Sequence, residues 1–224
     1  MRTWYVAARQ HPSGVLLVVQ LCGLLIYPFL DDEPIGRAVL STLGLLVLVI
    51  AVMAVRMTPA LNWVSGLLGV PVVVLTIVEV AMPDSEQVAL WSSLFHAAFY
   101  FYTGYALIKY MFGDDIVTTD ELYATGATFT VVAWGFAYVY AATQIIWPGS
   151  FTAAVEPESA RTWTDLLFLS VTTLTSTGLS DIVPIRPHAR SFVMIEQIAG
   201  MLYIALVIAR MIALMTARQV QRHK

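Results

Sequence analysis

The stretch Thr172–Pro184 reads TTLTSTGLSDIVP and concentrates hydroxyl side chains, one glycine and one acid in an otherwise apolar chain. It continues an apolar run, Leu166–Leu174, which is too short to cross a bilayer because a spanning helix needs about 20 residues. Non-helical backbone at membrane depth is tolerated only where it is buried in protein or lines a water-filled path. The stretch therefore predicts a re-entrant segment, with a short helix at 162–174 and an oxygen-rich loop after it.

The overall composition indicates a membrane protein. Of the 224 residues, 58% are hydrophobic and only 12% are charged, whereas about 25% of a soluble domain is charged. The net charge of -3 and the absence of a basic patch argue against a nucleic-acid partner. The one cysteine, Cys22, cannot form an intrachain disulfide, and no Cys/His cluster has metal-binding spacing. We expect no cofactor, and no enzyme activity, since no spacing brings a nucleophile and a base together.

Six apolar segments have the length of transmembrane helices: 14–30, 35–56, 60–82, 88–112, 122–147 and 190–215. The sequence thus predicts an all-α membrane protein with six transmembrane helices plus the re-entrant pore helix and filter loop. The linker 113–121 contains Thr118–Glu121, whose capping-box spacing predicts a helix start. The distribution of Lys and Arg favours cytoplasmic termini (1–13 and 216–224) in a multi-pass protein of the inner cell membrane.

The composition of the loop suits a monovalent cation. The C-terminal end of a helix carries partial negative charge, and carbonyl and hydroxyl oxygens can replace the hydration shell of a cation. One re-entrant segment per chain cannot surround an ion, so we expect a homotetramer with membrane lipids around it. Four Asp181 carboxylates would then ring the outer mouth and attract cations. An ion pair between Asp181 and Arg190 is an interpretation of equal weight, and the two interpretations are compatible. The sequence does not identify an accessory protein.

At Leu174–Pro184, LTSTGLSDIVP, the chain resembles the filter of the tetrameric potassium-channel superfamily, whose usual form is TVGYGD. In that resemblance STGLSD, Ser176–Asp181, occupies the six filter positions. Gly200 lies 200 − 178 = 22 positions after Gly178, as the inner-helix glycine does in that family. The run Glu196–Tyr203 is similar to the inner helix of small bacterial ion channels. The resemblance spans 122–215 and implies a pore domain with outer helix 122–147, pore helix 162–174, filter 175–181 and inner helix 190–215.

The departures from that filter predict altered selectivity. Ser180 replaces the second glycine and would cost about 1–2 kcal/mol per subunit in a left-handed backbone conformation. Leu179 lacks the hydroxyl that ties the filter to the pore helix, and Phe168 has no donor for Asp181. The T-x-G-L-S string also looks like filters of the Trk/Ktr potassium-uptake family. We therefore expect cation sites at Ser176–Gly178 to persist and the outer sites to be rearranged, with reduced preference for potassium over sodium.

Several residues around the filter are candidates for its support. Glu196 could brace the filter through Thr172, Thr173 or Ser176, which we favour, or act as an ion ligand. Gly200 is either a hinge of the inner helix or a site of close packing, and both alternatives stay open. The filter itself comprises Thr175, Ser176, Thr177, Gly178, Leu179, Ser180 and Asp181, and the expected supporting residues are Thr172, Thr173, Phe168, Glu196 and Arg190.

The first four predicted helices, 14–112, occupy the position of a voltage sensor but lack its arginines. The segment 88–112 carries only Lys109 near one end, so steep voltage dependence is not expected. The role of these four helices is either contact with lipid or that of a structural collar, and both alternatives stay open. The predicted function is passive permeation of monovalent cations. The alternatives are a non-conducting or regulatory channel homologue, or a cation transporter with a degenerate filter.

Overall fold

The structure is a computed structural model that describes residues 11–26, 47, 49–53, 62–113 and 118–222, with side chains as far as residue 212. The predicted span 35–56 lies largely outside the described residues, as does most of the predicted N-terminus 1–13. The contacts divide the chain into two compact units. The described part of the first comprises 11–113 (with the gaps given above) and 118–135, and that of the second 136–222.

The first unit includes three helices and the beginning of another. These are α1 (Pro12–Ile26), α2 (Asn62–Ala81), α3 (Glu86–Met111) and the N-terminal part of α4 (Thr119–Ile146). Residues 47 and 49–53 are also helical. Ser85 caps α3, since its side chain accepts from the Val88 amide. The Thr118 Oγ1 accepts from the Glu121 amide at 3.2 Å, so α4 begins at the predicted cap, three residues before the expected 122.

Side-chain pairs give the directions of these helices. Helices α2 and α3 are antiparallel, because Thr76 lies near His96 (3.5 Å) and Glu79 is bonded to Ser92 (2.6 Å). Helices α3 and α4 are antiparallel as well. Met111 contacts Thr125, and the Phe101 ring packs against Gly135. Helices α1 and α4 run parallel, with Ser13 bonded to Asp120 and Gln20 bonded to Thr130. Helices α1, α2 and α4 thus share one direction and α3 opposes them.

The second unit contains the rest of α4, the short helix α5 (Trp163–Leu174), the long helix α6 (Pro187–Arg222) and a two-stranded sheet. Strands β1 (Phe151–Thr152) and β2 (Val183–Pro184) pair antiparallel, with Phe151 opposite Pro184. The predicted start of α5 is confirmed, because Thr162 and Asp165 form a reciprocal capping box. Helix α6 extends beyond the predicted limits of 190 and 215 at both ends, so residues of the predicted tail, 216–222, are helical.

Three helices in the described parts of the chain are long and apolar enough to cross a membrane: 63–81, 119–146 and 187–212. They correspond to the predicted spans 60–82, 122–147 and 190–215. The predicted spans 14–30 and 88–112 coincide with helices α1 and α3, but these two do not meet the same criterion. Helix α5 is apolar and only 12 residues long, which agrees with the expectation that it is too short to span.

Candidate functional site

The loop after α5, which the sequence predicts to be a filter, begins by folding its backbone against the C-terminal end of that helix. Thr175 continues the right-handed helical conformation (φ −75°, ψ −9°). The Ser176 amide then donates to the Thr173 carbonyl at 2.9 Å, and the amides of Thr177 and Gly178 both donate to the Thr172 carbonyl at 3.1 Å. The last carbonyls of α5, which lack partners within the helix, are therefore capped by the loop that follows.

These amide bonds fix where the loop carbonyls point. In a planar trans peptide the C=O lies opposite the N–H of the next residue. Because the amides of residues 176, 177 and 178 turn toward the helix end, the carbonyls of Thr175, Ser176 and Thr177 point away from it. Ser176, Thr177 and Gly178 are exposed in the single chain. Three consecutive main-chain oxygens thus face the same open side.

The backbone alternates in handedness along this loop. Ser176 has φ +58° and Gly178 has φ +65°, whereas Thr175, Thr177 and Leu179 do not have positive φ. Ser180 does not have positive φ either, so the strain expected at the position of the second family glycine is absent there. The left-handed non-glycine residue is Ser176 instead, where the conformation costs about 1–2 kcal/mol.

The threonine hydroxyls of the loop are turned toward the pore helix. Thr175 Oγ1 donates to the Val171 carbonyl at 2.8 Å and lies 2.9 Å from Thr177 Oγ1. Thr177 Oγ1 also lies 3.3 Å from the Thr172 carbonyl. The hydroxyls of Thr175 and Thr177 therefore form hydrogen bonds within the chain, and the main-chain carbonyls are the oxygens that face the open side.

The outer part of the loop has a different arrangement. The Gly178 carbonyl accepts from the Ser180 amide at 3.0 Å, and Ser180 Oγ accepts from the Ile182 amide at 3.1 Å. The series of outward carbonyls consequently ends at Thr177. Leu179 is 79% exposed, so the rest of the chain leaves most of its side chain uncovered.

Asp181 and Arg190 do not form the ion pair that was one of two expectations. In the fully described segment 163–212, Arg190 Nε donates to the Pro184 carbonyl at 3.2 Å, and no ion pair joins it to Asp181. Asp181 is exposed. Phe168 on the pore helix is 46% exposed, and its side chain has no hydrogen-bonding group to offer the filter acid. The Asp181 carboxylate is therefore available to solvent and to cations.

Glu196 has other partners than the threonines expected from the sequence. Its fully buried carboxylate accepts hydrogen bonds from the Tyr140 hydroxyl of α4 and from the Ser170 hydroxyl of α5. Thr172, by contrast, donates to the Leu169 carbonyl at 2.9 Å within its own helix. Glu196 thus joins the outer, pore and inner helices at one point behind the filter, and the brace acts on the pore helix rather than on the filter loop.

Tyr140 and Ser170 were missed by sequence reasoning. Ser170 interrupts the otherwise apolar run Leu166–Val171, and an acid within a membrane helix requires polar partners. These two signals together could have singled out Ser170. Tyr140 carries no comparable signal, because α4 contains several tyrosines and only the tertiary structure shows which one is fully buried.

Gly200 lies where the inner helix crosses the end of the pore helix. A Cβ at this position would lie 2.9 Å from the Leu174 carbonyl carbon and 3.0 Å from its Cα, and would overlap the Leu174 carbonyl oxygen. Real Cβ atoms do not approach backbone this closely. Gly200 is therefore required for close packing of α6 on α5, the second of the two roles left open for it. This packing places the brace at Glu196 one helical turn away.

The loop between the outer and pore helices is fixed by a pair of residues that sequence reasoning also missed. The Gln144 amide bonds both main-chain groups of Arg161, at 2.9 and 3.0 Å. The buried Arg161 guanidinium donates to the carbonyls of Val155, Glu156 and Ser159. The start of α5 is thereby tied to the end of α4, which sets the direction in which the pore helix points.

Comparison with protein families matches residues 126–217, less than half of the chain, to a family described as "Ion channel". No curated protein and no solved structure matches the chain significantly. The matched segment runs from the outer helix through the pore helix and filter loop into the inner helix. This match supports an ion channel superfamily for residues 126–217, and together with the apolar helices it indicates a membrane protein.

Proposed function

We propose that the protein is a passive channel for monovalent cations, with potassium permeant and sodium weakly discriminated. The observation that carries this proposal is the loop of alternating handedness, in which the carbonyls of Thr175, Ser176 and Thr177 face one open side. Main-chain carbonyls are suited to replace the hydration shell of a hard monovalent cation. The cation would bind at Ser176 and Thr177 through the main-chain carbonyls of Thr175, Ser176 and Thr177, and the third expected position, Gly178, would contribute less because its carbonyl accepts the Ser180 amide.

We infer a homotetramer because the site of a single chain is incomplete. Three carbonyls on one side of one loop cannot surround an ion, whereas four copies about an axis can. The inner helix supports this assembly: its side toward α5 is buried at Val193, Glu196 and Gly200, while Ile198 and Met201 are 60% and 65% exposed. Neighbouring copies and lipid would cover this apolar surface, since exposed apolar patches of such extent mark contact sites.

Reduced selectivity is proposed from the outer half of the loop. The Gly178 carbonyl already accepts a hydrogen bond from the Ser180 amide, which weakens what it can contribute to a cation site. Fewer consecutive carbonyl rings should discriminate less between potassium and sodium. The exposed Asp181 carboxylates would concentrate cations of either kind at the mouth.

A six-span topology with both termini on the cytoplasmic side is proposed for the whole chain. The parallel packing of α1 and α4 supports it, because two parallel helices need an odd number of crossings between them. Helices α2 and α3 and a crossing in 27–61, where residues 47 and 49–53 are helical, supply three. Lys109 is the single basic residue of α3, so conduction should depend only weakly on voltage.

The test is flux through liposomes that contain the purified full-length protein. We expect potassium and sodium both to pass without a coupled ion or ATP, with a potassium preference below that of a TVGYG filter. The variant S180G supplies the second glycine and should raise the potassium preference, whereas S159G in the outer loop is the matched control. Absence of any flux would favour the regulatory homologue, and flux that requires a coupled ion would favour the transporter.

A further inference from the structure

Asp120 is a buried carboxylate that joins three helices at the start of the outer helix. It is only 6% exposed. From α1, the Ser13 amide and hydroxyl donate to its two oxygens at 3.2 and 2.9 Å, and His11 Nδ1, just before that helix, lies 4.0 Å away. From α3, the Tyr110 hydroxyl interacts with it as well.

The position of the Asp120 carboxylate reduces the electrostatic repulsion between the N-termini of two parallel helices. The N-termini of α1 and α4 lie side by side, and each presents partial positive charge and unpaired amides. Asp120 lies in the first turn of α4 and accepts the amide of Ser13 in the first turn of α1. One negative charge thereby stabilises both helix ends, which would otherwise repel each other.

The interface continues for two more turns along α1 and α4. Gly14 leaves room for the Tyr123 ring, and Gly126 leaves room for Leu17, since a Cβ at these glycines would lie 3.0 and 2.8 Å from those side chains. Further on, Thr130 donates to Gln20 at 2.7 Å, and Gln20 is fully buried. Small residues and interhelical polar bonds are what drive association of helices in a bilayer.

Helix α4 continues from its interface with α1 into the segment that contains Tyr140. It is continuous from Thr119 to Ile146 and contains no proline. The same helix bears Tyr140, which holds Glu196 and through it the pore helix at Ser170. Asp120 and Tyr140 therefore lie on one continuous helix.

We propose that α1 is a strut that holds the outer pore helix in its conducting position, with Asp120 as the positioning residue that anchors it. This inference rests on the proposed channel function and assigns a role to the first helix, which the sequence left open. Asp120 acts through α4 and Tyr140 and does not contact the permeating ion. The filter sequence and its carbonyls are unchanged by its loss.

The placement of the strut is tested by disulfide cross-linking of the full chain in liposomes, in a C22S background. The pair L17C/G126C should form a disulfide on oxidation. The pair V18C/G126C is the control, because Val18 is 58% exposed and lies on another side of α1. Equal cross-linking of both pairs, or none of the first, overturns the strut whether or not the protein conducts.

The role of the anchor is tested with D120A, and D84N serves as the control because Asp84 is exposed and its carboxylate makes no hydrogen bond or ion pair within the described chain. Hydrogen bonds to a charged group are strong enough that their loss should raise the exchange rate of the α1 amides at 13–17 roughly tenfold. Potassium flux should fall in D120A and remain at the wild-type level in D84N. Oxidation of L17C/G126C in the D120A chain should restore flux, and reduction should abolish it again.

That reversible rescue separates positioning from folding, because a misfolded chain would not regain flux when one disulfide closes. Unchanged flux in D120A despite faster amide exchange at 13–17 would overturn the role of the strut in conduction. If the wild type itself fails to conduct while L17C/G126C cross-links selectively and D120A exchanges faster, the proposed channel function fails and the anchoring by Asp120 stands.

Discussion

Tyr140 of the outer helix donates a hydrogen bond to Glu196 of the inner helix, and the same carboxylate accepts a second bond from Ser170 of the pore helix. All three residues are buried, so neither hydroxyl can exchange its partner for water at low cost. This relationship ties α4, α5 and α6 together at one point. It also explains why an acid is tolerated within an apolar helix.

The first prediction concerns this brace. Y140F should lower the free energy of unfolding by about 1–3 kcal/mol, because it removes one partner of a buried carboxylate. E196A should cost more, since it leaves two buried hydroxyls without their acceptor. Thermal unfolding of the purified protein in detergent measures both. The control Y105F removes a hydroxyl from a side chain that is 56% exposed and should change little. Equal stability of Y140F and Y105F would contradict the brace.

The second prediction concerns the contact between the inner and pore helices. G200A should destabilise the protein by about 1–3 kcal/mol, because the added methyl overlaps the Leu174 backbone and one helix must move. G66A is the matched control on α2, where a methyl group added to Gly66 would meet nothing within 4 Å. It should stabilise its helix by roughly 0.5–1 kcal/mol. Denaturation midpoints of the two variants should therefore move in opposite directions.

The third prediction separates the two serines of the filter loop. S176G should raise the free energy of unfolding by about 1 kcal/mol, since glycine adopts the left-handed conformation of residue 176 without the cost to a serine. S180G should not raise the free energy of unfolding in this way, because Ser180 does not have positive φ. It also loses the bond from the Ile182 amide to Ser180 Oγ. Stabilisation by S180G rather than S176G would show that the two serines exchange roles in the assembled protein.

The fourth prediction concerns charge at the outer mouth. D181N should lower the unitary cation conductance at low salt and have little effect at high salt, because the Debye length falls from about 30 Å at 0.01 M to about 3 Å at 1 M. R190A should leave this salt dependence unchanged, since Arg190 bonds the Pro184 carbonyl and not the acid. Single-channel recordings across a series of potassium concentrations make the comparison. A large effect of R190A would indicate that the two residues pair in the assembly.

The fifth prediction concerns the loop that orients the pore helix. Q144A should destabilise the second unit by about 1–3 kcal/mol, because it leaves the buried amide and carbonyl of Arg161 without partners. Proteolysis within the loop 150–161 should become faster in Q144A. S159A, at an exposed position of the same loop, is the control and should be cleaved at the wild-type rate. Identical cleavage of the two variants would contradict the role assigned to Gln144.

The sequence by itself determined the features that have local causes. Helix α5 begins at Thr162 because a threonine and an acid three residues later form a capping box, and the apolar lengths of α2, α4 and α6 follow from composition. The position of the oxygen-rich loop is predicted by the hydroxyl side chains and the glycine that follow α5 directly in the sequence. Such features depend on residues within one or two turns of each other, and a single sequence contains all the information they need.

The tertiary structure alone decided which distant residues meet. Glu196 bonds Tyr140 and Ser170 rather than the three hydroxyls expected from the sequence, and Asp120 joins α1 to α4 across more than a hundred residues of chain. Ser176, rather than Ser180, takes the left-handed conformation, because the amides after it turn back to cap α5. Each outcome depends on how helices approach one another in space, and a buried polar group has many candidate partners in sequence but only those within bonding distance in the fold.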